Sequence, residues 1–124
     1  MNTERQPKNT PPQHVLGLEP GSTASDWHRH PNGGGWVHRA AWVADTAYVG
    51  PDAAICGRAR VSGNAVVCEG ARVSGDAIVR DSARVCGSVV VSGDAVVCGS
   101  VIVSGYAEVS GTARIHSGEW DEQK

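Results

Sequence analysis

The chain has 124 residues, 11 Lys plus Arg against 13 Asp plus Glu, and a formal net charge of −2. That length is one domain, and the balanced charge lacks the basic stripe with interleaved aromatics that marks nucleic-acid binding. No apolar run reaches the length of a membrane span or a signal-peptide core, so the expectation is a cytoplasmic protein with no membrane partner.

Residues 1–13 contain three Pro and no apolar residue after Met1 and read as a disordered tail. Residues 14–36 carry apolar anchors (Val15, Leu16, Leu18, Trp27, Trp36) without a period. They read as a mostly irregular cap or linker, with Trp27 or Trp36 covering the end of the core that follows. Gly33, Gly34 and Gly35 let the chain bend sharply into that core.

From Val37 to Ile115 every sixth residue is Val or Ile, fourteen positions in all. Four residues after each stands a small residue, Ala in eleven cases, Val89 and Val101 in two, until Glu119 ends the series. A period of six fits neither a long strand nor a helix and marks a solenoid of short strands and corners over residues 37–120. Within each unit the aliphatic points inward and its two neighbours outward. The next two residues, such as Gly57-Arg58, Gly75-Asp76 or Asp81-Ser82, form the corner, because Gly, Asn, Asp and Ser suit tight bends. Phe is absent and aromatics are only 5%, so the core rests on many small, equal contributions. Residues 121–124 are left as a C-terminal tail.

Units such as VSGNAV, VSGDAI, VSGDAV and VSGYAE resemble the hexapeptide repeat of left-handed parallel β-helices, a superfamily that includes acyltransferases and γ-class carbonic anhydrases. The resemblance implies an all-β fold, a single-chain left-handed parallel β-helix. Three hexapeptides make one triangular coil of 18 residues, giving about 4–5 coils over this stretch. It also implies a homotrimer about the prism axis. The GGWV entry and the VSGNA-type units look similar to uncharacterised solenoid proteins of bacteria and prophages.

With an 18-residue coil, outward residues stack into three faces. The third carries Tyr48, Val66, Arg84 and Ile102, and the second carries Ile78 and Val96 beside Trp42. Branched aliphatics facing outward on a flat sheet predict a buried partner surface, so these six ladder residues are the expected oligomer interface. Arg60, Arg72, Arg80 and Arg84 project from the central coils and are the expected contacts for a protein partner or a small anionic ligand.

Cys56, Cys68, Cys86 and Cys98 occupy the slot that Ser fills at 62, 74, 92, 104 and 110, and read as small stand-ins for Ser. Cys68 and Cys86 stack on adjacent coils. Neighbouring parallel strands are expected to orient them poorly for a disulfide, and a cytoplasmic redox state disfavours one. There is no Cys-x-x-Cys, and the pair His28 and His30 lacks a third ligand nearby, so no metal is expected. Asp76 and Asp94 stack at one corner as corner chemistry. The γ-class carbonic anhydrase site draws His from neighbouring coils, and no His occurs between 39 and 115.

The acyltransferases of the resembling superfamily interrupt their repeat with an extruded loop and use a His base. Here the period is unbroken, and the weak catalytic candidates are His38 and His116. The sequence therefore favours a non-enzymatic, cofactor-free oligomeric solenoid acting as a structural or binding module, for example a phage or prophage accessory or inhibitor protein. The alternative is a minimal acyltransferase using acyl-CoA at a subunit boundary.

Overall fold

The two-residue strands of this chain are too short to satisfy their own amides, so each backbone group must find its partner one coil away. The computed structural model describes residues 13–19, 22–115 and 119–120. The tail expected over residues 1–12, His116 and the tail at 121–124 lie outside the described residues; Gln13 begins a single helical turn, α1 (Gln13–Leu16).

From Trp36 to Arg114 strands start every six residues, and they form three sheets that are parallel apart from the first strand of the chain. The first contains β1 (Trp27–Arg29), β2 (Trp36–His38), β5 (Ala54–Ile55), β8 (Arg72–Val73), β11 (Val90–Val91) and β14 (Glu108–Val109). The second contains β3 (Trp42–Val43), β6 (Arg60–Val61), β9 (Ile78–Val79), β12 (Val96–Val97) and β15 (Arg114–Ile115). The third contains β4 (Tyr48–Val49), β7 (Val66–Val67), β10 (Arg84–Val85), β13 (Ile102–Val103) and β16 (Glu119–Trp120). Arg60 pairs with Ile78 and Val66 with Arg84, the 18-residue stacking that the resemblance implies. The chain is a parallel β-solenoid of about four coils.

The ladder continues through the corners. Val66 N–H donates to Ala83 O at 2.9 Å in a strand, and Arg58 N–H donates to Gly75 O at 2.8 Å in a corner. From Val49 to Val103 each ladder aliphatic and each small residue between them is fully buried. Most corners put Gly in the left-handed region, as at Gly75 (φ 65°), where a Cβ would come within 2.8 Å of Gly93 N. Glu69 (φ 58°) and Asp81 (φ 65°) hold that conformation with a side chain. The Asp81 carboxylate accepts the Gly99 N–H one coil on, at 2.9 Å.

At the N-terminal end, β1 pairs antiparallel with β2. Residues 30–35 follow the edge of β4: Gly35 N–H donates to Val49 O at 2.9 Å, and Val49 N–H to Asn32 O at 3.0 Å. These contacts occupy strand edges that would otherwise template another chain. Trp27 and Trp36 do not cover the end of the main core, as the sequence reading expects. They join Val15, Ala54 and Cys56 in a second buried cluster on the outer side of the first sheet, with Leu16 and Leu18 packed against it.

The repeat also shortens at its end. Val103 pairs with Trp120, 17 residues on, and not with residue 121 as an unbroken period requires. Position 121 is Asp, a residue that an aliphatic ladder position would hold only at the cost of burying a carboxylate.

Candidate functional site

Strand alternation leaves each sheet with an outward row, and the three rows differ. On the first sheet the row begins with Trp36, Ala54 and Cys56, all buried although they face outward. The N-terminal segment lies over them. Trp27 packs its ring edge on His38 at 5.1 Å, the Arg29 guanidinium sits 4.3 Å over the Trp36 ring, and Glu19 Oε2 accepts the Gly57 N–H at 2.6 Å. Burial, together with the charge of Glu19 and a hydrogen bond to it, pushes the Cys56 thiol up to about 12. Such a thiol is not a nucleophile at neutral pH. Arg72 lies further along the same row, exposed.

His38 has its Nδ1 accepting the Ala40 N–H at 3.3 Å and its ring against Trp27. His28 and His30 do not present one shared exposed side. His30 is buried, with Nε2 hydrogen-bonded to Ala47 O at 2.9 Å, while His28 is exposed. Among the described residues no group of three or more His, Cys, Asp or Glu is placed to hold a metal ion. At the corner shared by Asp76 and Asp94, Asp76 faces Arg58 at 4.0 Å.

The second sheet carries a groove of about 580 Å³ lined by Trp42, Arg60, Ser62, Ile78 and Arg80. Trp42 is 56% exposed. Arg80 lies 3.8 Å from Asp81, whereas Arg60 makes no ion pair among the described residues. Of the four Arg singled out by sequence, the fold brings Arg60 and Arg80 together here and leaves Arg72 on the first sheet and Arg84 on the third. Trp42 as a groove wall is what sequence reasoning missed; its signal was an exposed ring stacked one coil from Arg60.

The third sheet bears Tyr48, Val66, Arg84 and Ile102 in one outward row, with Tyr48 and Ile102 each more than a third exposed. Beside that row Cys68 and Cys86 form a disulfide, with Cα atoms 4.6 Å apart. This overturns the expectation of two free thiols. In-register parallel pairing places both side chains on the same side of adjacent strands, so their separation falls inside the Cα range a disulfide requires. Cys56 and Cys98 are free.

A family model described as the YdcK Beta solenoid repeat matches residues 53–69 and 71–87, about a quarter of the chain. The two matched segments are consecutive coils of the solenoid's centre. No curated protein and no solved structure matches the chain. Match and architecture agree that this is a β-solenoid repeat protein.

Proposed function

We propose that this chain is a non-enzymatic scaffold that self-associates through the third sheet and presents its other surfaces to a binding partner. The observation that carries the reading is a contrast between sheets. On the first sheet the outward Trp36, Ala54 and Cys56 are buried under the chain's own N-terminal segment, whereas Tyr48 and Ile102 on the third are each more than a third exposed.

A second copy is the occupant that the charge pattern favours. From position 48 to position 104 the outward strand positions of the third sheet hold a single charge, Arg84. Two copies can therefore pack face to face or about an axis without stacking rows of like charge. The second sheet, with Arg60, Arg80 and Arg114, is poorly suited to packing on itself. Three subunits is the number implied by the resemblance to hexapeptide solenoids. No observation favours the acyltransferase alternative: the His38 ring is engaged by Trp27 and Ala40, and His116 lies outside the described residues.

Sedimentation equilibrium at micromolar concentration tests the reading. The expected mass is two or more times 12.9 kDa, and a single-chain mass at every concentration would overturn it.

A further inference from the structure

We propose that the groove on the second sheet binds a small organic anion with a flat apolar part, an aryl phosphate or carboxylate, its ring on Trp42 and its acid group between Arg60 and Arg80. The solenoid itself brings these groups together. Trp42, Arg60 and Ile78 are direct neighbours on three adjacent strands. Ser62 and Arg80 stand two residues further along β6 and β9, on the same side by strand alternation. Arg60 and Arg80 are thus diagonal neighbours with Cα atoms roughly 8 Å apart, from the spacing between strands and the rise along them. Two long guanidinium side chains at that separation reach one acid group from either side, and their fork geometry suits phosphate and carboxylate oxygens.

The electrostatics point the same way. No carboxylate stands at an outward strand position of this sheet from 42 to 114. Of the corner acids, Asp76 faces Arg58 at 4.0 Å, and Asp81 accepts the Gly99 N–H while lying 3.8 Å from Arg80, so an anion at Arg80 competes with that one exposed contact and meets no such competitor at Arg60. Arg60 makes no ion pair among the described residues and is shared between this groove and a smaller one of about 260 Å³ over Arg58, Asp76 and Ile78. The groove's volume, about 580 Å³, is that of a small-molecule site. Its aromatic wall is Trp42, whose planar face favours a ring over a branched chain, and Ile78 adds apolar surface on the far side of Arg60. Ser62 adds a hydroxyl beside the two guanidinium groups.

The inference deepens the binding-module reading but uses the second sheet and not the third, so its failure leaves self-association untouched. The test is titration of the full chain with 1-naphthyl phosphate, followed by calorimetry and by the indole N–H resonances of the Trp residues. Saturable binding is expected, with the Trp42 resonance moving. Arg60→Gln or Arg80→Gln should each weaken binding by about tenfold or more, the loss of one charge-assisted contact. Arg114→Gln, on the same sheet but outside the groove, should leave it unchanged. Inorganic phosphate and 1-naphthol should each bind at least about tenfold more weakly, because each lacks one half of the recognition. All these Arg are exposed, and circular dichroism of each variant checks its fold. The proposal is overturned by absent saturation, by binding that survives both Arg60→Gln and Trp42→Ala, by naphthol binding as tightly as its phosphate, or by an acidic peptide binding where the aryl phosphate does not.

Discussion

Replacing Gly75 and Gly111 with Ala, separately, probes how the coils stack. Both residues have φ 65°, so each substitution incurs the same left-handed backbone cost, about 1 kcal/mol. Their surroundings differ. A Cβ on Gly75 would lie 2.8 Å from Gly93 N and 3.0 Å from Gly93 O, inside any normal contact, whereas a Cβ on Gly111 meets nothing within 4 Å. The chain already shows that such a corner can open, since Asp81 carries a side chain at the equivalent point above Gly99. The added cost at Gly75 therefore belongs at the lower end of overpacking, about 1–2 kcal/mol. Gly111→Ala should cost about 1 kcal/mol and Gly75→Ala about 2–3 kcal/mol, read from urea midpoints at constant m. Fraying of the last coil lowers the cost at Gly111 but does not raise the cost at Gly75. Equal losses, both near 1 kcal/mol, would refute the argument that corner backbones stack in contact every 18 residues.

Reducing the Cys68–Cys86 disulfide, or replacing both residues with Ser, releases a loop spanning 18 residues and should cost about 3 kcal/mol; identical urea midpoints with and without reductant would contradict the bond. Glu69→Gly should stabilise the chain by up to about 1 kcal/mol, because Glu69 holds positive φ with no hydrogen bond among the described residues. Asp81→Gly should gain less or lose stability, because it removes the acceptor of the Gly99 N–H, and thermal melts of the two variants side by side check the order. Partial desolvation of a side chain that is still exposed, first, and the neighbouring His30, second, hold the His28 imidazole below its ordinary 6.5. The unfolded chain then binds that proton more readily, so His28 leaves stability untouched well above pH 6.5 and lowers it progressively as pH falls below that value. His28→Gln should flatten the acid slope of stability against pH, and an unchanged slope would assign it to other groups.

Much of this architecture is legible in the sequence because one rule repeats. Val61, Val79 and Val97 can be placed on one sheet by counting once the resemblance supplies three hexapeptides to a coil, since short strands joined by tight corners leave no freedom in register. Counting fails where the rule stops. The burial of Trp36, Ala54 and Cys56 depends on an aperiodic N-terminal segment whose path no spacing encodes. Trp120 opposite Val103 departs from the period by one residue, which no count of six foresees. The Cys68–Cys86 bond was within reach from the 18-residue spacing, but the expectation gave too much weight to strand orientation and compartment. The groove was half visible: Arg60 and Arg80 stand out as charges, but their pairing with Trp42 needs the register of three strands at once.

Self-association through the third sheet predicts that a charge placed there is disruptive and one placed on the second sheet is not. Sedimentation of Ile102→Arg beside Val96→Arg tests it most directly, each variant first checked for the wild-type far-UV spectrum. Ile102 is 38% exposed on the third sheet, and Val96 holds an outward position on the second. Ile102→Arg should sediment as the 12.9 kDa chain while Val96→Arg keeps the wild-type mass. An Ile102→Arg protein that stays associated, or a Val96→Arg protein that alone falls apart, would contradict it.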